Sequence, residues 1–484
     1  MRRGFKGRRR WLWTAPACLG VVVTVSTVNL LGGAGNAEQT RGAPAPCVES
    51  SGQPGPVKPT TIDTLEQAYY CVFAHYFGGN ALDGRRLLQS AFIGFSQELA
   101  RSGLERPDAM PPALTGDRAK DWAAFRAVYQ RVTEQLPARP DVRQAVAAAT
   151  MNGILRGLHD NHVGWRHPEP IPNREPGQTY GLGFATSPSS TITSIVPDSA
   201  LPPMHITAVT GGPAAERRLR PGDVIESVNG APPFVDGALS PGAIDRIYQE
   251  YPRQDRVRLT VNRPSTGRTW TVELKPRLFR PDPDATAIVT SELLRGDVAS
   301  VRLAAFAQGA ADQVLAAVRK LGEGRRLRGV VLDLRGNNGG AATEVTRLLG
   351  AFSHGKVYGY LCDADGKCTP KHTDDSVPLL NLPLVVLADR NAVSAGDAFT
   401  QAVKDMKLGT VIGTRTGGAV SGPAYGYVLN DNSTLRMPSQ HGRGANGEDI
   451  DGIGVAPDIY LPRTAHDISG GRDPAMAKAL TLLH

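Results

Sequence analysis

Acidic residues are absent from the first 37 positions of this 484-residue chain. Six basic residues occupy that stretch, and they account for most of the net charge of +8. From Glu38 onward 48 basic residues face 46 acidic ones, which leaves a net charge of only +2. A nearly balanced charge argues against the strongly basic surface that is typical of nucleic-acid-binding proteins. We therefore expect no nucleic-acid partner.

Long apolar runs are also scarce, because only residues 11–31 approach the length of a membrane-spanning helix. Basic residues precede this run and the small residues Gly35 and Ala37 follow it, an order typical of an export signal. We predict that residues 1–37 are such a signal and that the remaining chain is secreted or extracytoplasmic. An uncleaved membrane anchor is the alternative, and the arginine pair near the N-terminus leaves the twin-arginine export route open.

Cysteine is rare and no CxxC pair occurs, which disfavours a zinc site. Five cysteines are present, and four remain if Cys18 leaves with the signal. An even number of cysteines in an exported chain predicts disulfides. The pairing nearest in sequence joins Cys47 to Cys71 and Cys362 to Cys368. We expect no metal or organic cofactor.

The first two regions after the predicted signal are a linker and a helical module. Residues 38–60 are rich in Pro, Gly and Ser without apolar periodicity, which predicts a flexible linker. Residues 61–168 carry apolar residues at helical spacing, as at Leu65, Tyr69 and Val72. This spacing predicts a mainly helical N-terminal module.

Residues 178–276 change to short β-branched runs separated by turn signals. The succession resembles a PDZ domain, in which a Gly-Leu-Gly-Phe loop offers backbone N–H groups to the terminal carboxylate of a peptide. The matching loop residues are Gly181, Leu182, Gly183 and Phe184. The alternative is a small β-barrel whose groove binds no ligand.

Residues 281–464 predict an α/β layer. The runs at 330–334, 383–388 and 410–412 are continuously apolar, as in parallel strands that are buried on both faces. For residues 465–484 the sequence indicates only a C-terminal tail. The expected fold class is therefore a multi-domain α/β protein.

Two turns in this layer suggest chemistry. A buried strand breaks at Asn391 and presents Ser394 just before a helix-like run, where free N–H groups favour a developing negative charge. Upstream, residues 336–340 form a glycine-rich turn that lets the backbone approach a ligand. The two turns predict a nucleophile and N–H donors for acyl transfer, with an N-cap serine as the structural alternative.

The sequence Gly-Val-Val-Leu-Asp-Leu-Arg-Gly-Asn-Asn-Gly-Gly at 329–340 and Ser394-Ala-Gly-Asp resemble the S41 serine peptidases. This family includes the C-terminal processing (tail-specific) peptidases and the tricorn core protease, and the resemblance spans roughly residues 61–464. It implies a sandwich core of the ClpP/crotonase-like kind and peptide or protein substrates. It also implies Ser394 as nucleophile, with the oxyanion held by the N–H of Ala395 and that of Gly339 or Gly340.

A serine hydroxyl needs a base that takes its proton. The tail-specific branch places a lysine in a Thr-Phe-Gly-Lys motif, but this chain has Thr-Gly-Gly-Ala at 416–419, so that lysine is missing. The tricorn-like branch uses a histidine, and residues 158–164 resemble its Asp-x-His motif with His162 as the base. His159 and His167 lie close in sequence and compete for the same assignment.

The closing motif of the family resembles residues 447–458, where Asp451 stands at the position of the glutamate that completes the relay. Two departures concern this relay. Asn161 replaces a serine before the histidine, and Asp451 is one methylene shorter than glutamate, a difference in reach that can cost on the order of 100-fold in rate. Glu448 is a second candidate for the acid, whereas Asp333 and Asp458 are expected to be structural.

Two other functions stay open. A non-catalytic protein that binds peptides or hydrophobic ligands could use the same scaffold. An esterase of another fold could use residues 392–396 as a nucleophile elbow with His441 or His466 as its base. Labelling by a fluorophosphonate separates enzyme from binder. The sequence leaves the natural substrate and the oligomeric state open.

Overall fold

The computed structural model describes residues 47–50, 55–160, 162–167, 171–188 and 200–484. The predicted export signal and Asn161 lie outside these residues. Within them, no helix is both long enough and apolar enough to cross a membrane.

The described helices bury one face against the rest of the protein. They are α1 (Ile62–His75), α2 (Gly84–Arg101), α3 (Arg118–Glu134), α4 (Pro140–Arg156), α5 (Gly212–Glu216), α6 (Pro241–Ile247), α7 (Ala310–Leu321), α8 (Ala342–Gly350), α9 (Ala395–Asp405), α10 (Ala465–Ser469) and α11 (Pro474–Leu483).

The described strands are mostly short outside the central sheet. They are β1 (Val48–Glu49), β2 (Gly164–Arg166), β3 (Thr179–Gly181), β4 (Phe184–Thr186), β5 (Ile206–Val209), β6 (Val224–Val228), β7 (Phe234–Val235), β8 (Ala238–Leu239), β9 (Val257–Arg263), β10 (Arg268–Leu274), β11 (Arg277–Phe279), β12 (Val289–Leu294), β13 (Val298–Leu303), β14 (Gly329–Asp333), β15 (Val357–Cys362), β16 (Cys368–His372), β17 (Leu384–Ala388), β18 (Gly409–Gly413), β19 (Ala424–Val428), β20 (Thr434–Pro438), β21 (His441–Gly444) and β22 (Ile459–Tyr460).

Helices α1 to α4 pack together around an aromatic core. Side chains cap two of them, because Asp83 accepts from the Arg85 N–H and Asp117 accepts from N–H groups in the first turn of α3. Helices α2 and α4 approach closely at Gly94 and Gly153. A Cβ at Gly94 would lie 2.3 Å from the Ala149 carbonyl oxygen, so only glycine fits this contact.

A four-stranded sheet joins the helices to the rest of the chain, in the order β1–β19–β20–β2. Its buried residues Tyr427, Leu435 and Met437 belong to the same core as the helices. Strand β2 thus ties the segment that follows α4 to β20, nearly 270 positions later in the sequence.

The described residues of the predicted linker are bonded to the rest of the chain. Strand β1 pairs antiparallel with β19, and a disulfide joins Cys47 to Cys71 of α1. The Lys58 N–H also donates to the Asp431 carbonyl oxygen at 2.8 Å. These bonds hold the segment against the sheet, and two paired residues are too short a strand for a periodicity to reveal.

The described residues of 179–188 and 200–279 form short strands around a separate apolar core, with α6 packed on it through Ala243, Ile244 and Ile247. Strand β4 pairs antiparallel with β5, and β9 lies between β6 and β10. Gly183 has a φ of 85°, and a Cβ there would lie 2.0 Å from the Gly211 carbonyl oxygen. The PDZ-like assignment of this region stays a prediction.

The central sheet has the order β12–β13–β14–β17–β18–β22, with β13 to β22 parallel and β12 antiparallel. Alternate residues of its strands face different layers. Val330 and Leu332 pack with α7, α8 and α9, whereas Val331 and Val385 face the opposite side. Burial on both faces explains why these strands are continuously apolar.

The C-terminal residues are more than a tail. Helix α11 packs against the second face of the sheet through Ala475, Ala479 and Leu483. Asp473, at its N-terminus, accepts from the buried Arg335 guanidinium at 2.8 and 3.0 Å. Without α11 that face of the sheet would be open to water.

Ala479→Asp tests the contribution of α11. The substitution places a carboxylate among apolar side chains without a partner, so we expect the free energy of unfolding to fall by about 3 kcal/mol. Lys478→Asp, on the exposed side of the same helix, is the matched control and should change it little. Urea unfolding of the oxidised protein measures both, and equal stability of the two variants would contradict this packing.

Candidate active site

The two turns predicted from the sequence meet at the carboxyl ends of neighbouring parallel strands, β14 and β17. Two hydrogen bonds join them. The Gly336 N–H donates to Asp389 Oδ1 at 2.9 Å, and the Val393 N–H donates to the Asn337 carbonyl oxygen at 2.9 Å. Desolvation raises the pKa of the half-buried Asp389, although the hydrogen bonds that it accepts from backbone N–H groups oppose that shift. The bonds fix the distance between the turns.

Ser394 has an unusual backbone conformation at the start of α9. Its φ of 56° and ψ of −114° are rare for a residue with a Cβ, and its side chain makes no capping hydrogen bond to the helix. Gly339 lies directly beside it, because a Cβ on Gly339 would be 2.6 Å from Ser394 Cβ. The Ser394 hydroxyl is therefore not used as a helix cap, which removes the structural alternative for this serine.

One of the two glycine N–H groups predicted as alternative oxyanion donors already has an acceptor. The Gly339 N–H donates to Asn337 Oδ1 at 2.9 Å, which corrects its assignment to the oxyanion site. Gly340 is exposed, and its backbone runs so close to Phe306 that a Cβ would lie 2.3 Å from the Phe306 carbonyl oxygen. Gly340 and Ala395 are left as the proposed donors.

Asp397, from the Ser394-Ala-Gly-Asp motif, is fully buried behind the nucleophile. Its carboxylate accepts from the N–H groups of Gly418 at 2.9 Å and Ala419 at 3.2 Å. Burial raises its pKa to about 6 against the effect of these bonds. Asp397 thus anchors residues 416–419, the segment from which the lysine is missing.

His162 and Ser394 are brought together by the structure, with 3.2 Å between His162 Nε2 and Ser394 Oγ. The pairing of β2 with β20 holds the histidine segment in place, since Gly164 lies opposite Arg436. Asp160 Oδ1 also accepts from the His162 backbone N–H at 2.7 Å. Burial lowers the pKa of His162, the Asp160 charge opposes that shift, and the Arg436 charge adds to it.

The candidate acids occupy three different positions. Asp451 Oδ1 accepts from the Val420 N–H at 2.9 Å, and its pKa is raised first by burial and then by the Asp160 charge. Glu448 accepts instead from the Gln401 side chain. Asp160, the aspartate of the Asp-x-His motif, accepts from the Tyr76 hydroxyl at 3.0 Å through Oδ2.

The competing histidines have other partners. His167 Nε2 lies 2.7 Å from the Lys58 carbonyl oxygen, and His441 Nε2 lies 2.9 Å from Asp449 Oδ2. His159 has a left-handed backbone, with a φ of 52°. Among the described contacts, only the ring of His162 reaches the Ser394 hydroxyl.

Asp333 and Asp458 make structural bonds, as expected. Asp333 pairs with Arg335, and Asp458 accepts from Lys404 Nζ at 2.7 Å and from the Val411 N–H at 2.8 Å. Lys404 Nζ also donates to the Ala456 carbonyl oxygen at 2.7 Å, so both contacts hold this lysine toward the closing motif.

Both predicted disulfides are present, Cys47–Cys71 and Cys362–Cys368. Cysteine and histidine side chains also come together at Cys47, Cys71 and His75, the one such group in the described residues with ligand atoms close enough for a metal. Because both cysteines are oxidised there, they offer no thiolate to a metal ion.

The predicted peptide loop leads into β4. Gly181 pairs with Arg277 at the end of β3, Leu182 is buried, and Gly183 and Phe184 enter the strand. On the edge away from β5, the Thr186 N–H donates to the Tyr248 hydroxyl at 2.9 Å. A side chain from the end of α6 therefore crosses this edge of the strand.

Sequence reasoning missed the residues that hold the turns together. From the sequence, Asn337 and Asp389 could be recognised only as polar residues that follow predicted strands. Asp160 could be recognised only as a position of the Asp-x-His motif. Arg436 lies on a strand whose sequence carries no functional motif. Its proximity to His162 follows only from the pairing of that strand with β2.

A cavity of ≈ 310 Å³ opens beside Ser394. Helices α8 and α9, strand β15 and the segment 420–424 line it, mostly with apolar side chains. It is large enough for a substrate side chain next to the nucleophile.

Known proteins resemble this chain in sequence and fold. Residues 297–461 match the model of peptidase family S41. The carboxy-terminal-processing protease of Bartonella bacilliformis is 23% identical over 373 residues, which cover 74% of this chain and 79% of that protein. The chloroplastic C-terminal processing peptidase of Tetradesmus obliquus is 32% identical over 270 residues, which cover 53% of this chain and 56% of that protein.

The solved structure of mature CPAF complexed with lactacystin shares the fold, with a TM-score of 0.51 and 14% identity. The match covers 87% of this chain and 97% of that chain. The family model and the sequence relatives agree that residues 297–461 are similar to peptidase family S41, and these relatives support a serine-type peptidase.

Proposed function

We propose that this protein is an exported serine endopeptidase that cleaves peptides or protein tails, with Ser394 as nucleophile and His162 as general base. The observation that carries the proposal is the distance of 3.2 Å between His162 Nε2 and Ser394 Oγ. That distance is within the reach of proton transfer between a hydroxyl and an imidazole.

The chemistry follows from the neighbours of these two side chains. A lowered pKa keeps the His162 ring neutral at pH 7, ready to accept the serine proton. Oγ then attacks the substrate carbonyl, and the N–H groups of Gly340 and Ala395 stabilise the oxyanion. The imidazolium next protonates the leaving amine, and a water activated by the same ring hydrolyses the acyl-enzyme.

Asp451 is the proposed acid that orients the imidazole, as the closing motif implies. Its raised pKa reflects burial near Asp160, so two carboxylates share this end of the cleft. Asp160 is the carboxylate whose charge acts on His162, and it favours the imidazolium that forms during catalysis. The two carboxylates would thus contribute in different ways, by orientation and by charge.

The two disulfides are consistent with the proposed export. The chain has two disulfides, which persist in oxidising compartments. The predicted signal at 1–37 would deliver it there.

The PDZ-like region is proposed to bind the carboxyl end of a substrate. Gly183 O and the Ser187 N–H bond toward β5, so the Thr186 N–H faces the opposite edge, where a peptide would add as a strand. The Tyr248 hydroxyl already accepts from that N–H. Peptide addition at this edge would therefore have to displace the tyrosine hydroxyl.

The alternatives fit the contacts less well. A binding protein has no need of a serine in a strained conformation beside an imidazole. The esterase hypothesis needs His441 or His466 at Ser394, but His441 Nε2 is bonded to Asp449.

His162→Ala tests the base. We expect a loss of nearly all turnover of a peptide substrate, at least ~1,000-fold, because no other described group can take the Ser394 proton. Lys404→Ala and Lys407→Ala are the controls and should retain most of it. Should a lysine variant lose turnover while His162→Ala keeps it, a Ser–Lys arrangement would replace this proposal.

The pH profile is a second test. Because burial lowers the pKa of His162, the acid limb of kcat/KM should lie below pH ~6.5, the ordinary value for histidine. Activity is lost as the pH falls through that limb, since the imidazolium cannot accept the serine proton. A limb well above pH ~6.5 would contradict a buried histidine as the base.

Tyr248→Phe tests the peptide site. Removing the hydroxyl frees the Thr186 N–H for a peptide, so affinity for a peptide with a free apolar C-terminus should rise roughly fivefold. Fluorescence anisotropy measures it, with Tyr251→Phe as the control and an amidated peptide to test the need for the carboxylate. Unchanged or weaker binding by Tyr248→Phe would contradict the proposed edge.

A further inference from the structure

The residues that line the cavity beside Ser394 indicate which chemical group it can bind. Its walls near the nucleophile are apolar, with Ala342, Val345, Ala398 and Val420 among them. Two basic side chains, Lys371 and Arg436, line the same cavity. Within the described part of the chain, neither of them forms an ion pair or a side-chain hydrogen bond.

The register of a three-stranded sheet directs Lys371 toward the cavity. Lys371 on β16 lies opposite Gly359 on β15, which in turn lies opposite Gly444 on β21. Residues opposite each other share a face of the sheet, so the lysine side chain lies on the same face as the space next to these two glycines. Beside Gly444 that space holds the Glu448 carboxylate, since a Cβ there would lie 2.4 Å from Glu448 Oε1. A Cβ at Gly359 would be 2.7 Å from the Arg443 carbonyl oxygen, which requires glycine there.

Arg436 approaches from the other side of the cleft. It lies on β20 opposite Gly164, two residues after His162. Its charge lowers the pKa of His162, so the guanidinium acts on the imidazole through space. Lys371 and Arg436 therefore stand on different walls of one cavity that also holds the Ser394 hydroxyl.

Two acidic side chains, Asp405 and Glu448, lie near the cavity but do not line it. Gln401 lines the cavity, and its amide donates to Asp405 at 2.6 Å and to Glu448, which do not line it. The two carboxylates thus lie behind the amide. An apolar cavity with two basic side chains is complementary to a group with an apolar body and a negative end.

We propose that this cavity is the subsite for the substrate residue at the scissile bond, and that Lys371 and Arg436 bind a carboxylate of the substrate there. The inference rests on the proposed peptidase function and names its substrate class: peptides with a carboxylate close to the cleaved bond. The carboxylate comes either from a glutamate side chain or from the free C-terminus, and the experiment separates these two sources.

The test uses matched peptides that differ only at the residue before the scissile bond, Glu against Gln, each with a free or an amidated C-terminus. In the wild-type protein kcat/KM should be at least ~10-fold higher for the carboxylate-bearing member of one pair, because charge-assisted hydrogen bonds are the stronger kind. A preference within the Glu/Gln pair identifies the side chain. A preference within the acid/amide pair identifies the C-terminus.

Variants of the cavity assign the effect to its residues. Lys371→Gln should reduce the ratio of kcat/KM within the preferred pair to near unity. Lys371→Glu should instead favour a matched peptide with lysine at the same position. Lys367→Gln, on the exposed turn of the same hairpin, is the control and should keep the wild-type preference. Retention of the full preference in Lys371→Gln and in Arg436→Gln would overturn the inference, as would equal rates for both wild-type pairs.

Binding to Ser394→Ala separates this inference from the proposed function. If the peptides bind with the predicted preference but the wild-type protein hydrolyses none of them, the peptidase proposal fails and the carboxylate subsite stands. If the wild-type protein hydrolyses them without preference, the subsite fails and the peptidase proposal stands.

Discussion

The pairing of β2 with β20 is the interaction on which the candidate site depends. Ser394 and His162 are 232 positions apart, on a helix start of the α/β layer and on a segment after the N-terminal helices. The short sheet that contains both strands brings the imidazole to the hydroxyl. Its outer strand is held in turn by the disulfide from Cys47 to the first helix, so the N-terminal segment supports the geometry of the candidate site as well as stability.

Polar groups buried beneath the turns sustain an unfavourable backbone. A non-glycine residue in the conformation of Ser394 costs on the order of 1–3 kcal/mol. Asp389, Asn337 and Asp397 offset this cost by accepting backbone N–H groups from both turns and from the segment 416–419. Desolvation raises the pKa values of Asp389 and Asp397, and the hydrogen bonds that both carboxylates accept from backbone N–H groups hold this backbone in place.

Much of the central layer could be predicted because its signals are local. Continuous apolar runs identified the strands around Val331 and Val385, and a serine between strand and helix identified Ser394. Long-range contacts left no such signal. Strand β1 has two residues, and α11 contributes to the core only because an open sheet face lies beside it. Gly339 was expected as one of two alternative oxyanion donors because no local signal shows that the Asn337 side chain turns back on its own loop and accepts from the Gly339 N–H.

The rate at which a fluorophosphonate labels Ser394 tests the central claim most directly, since labelling needs the activated hydroxyl and no knowledge of the substrate. The account predicts that the wild-type protein is labelled at Ser394, and that His162→Ala is labelled at least ~1,000-fold more slowly while it remains folded. Equal labelling of the two proteins, or labelling of another residue, would contradict the assignment of Ser394 and His162.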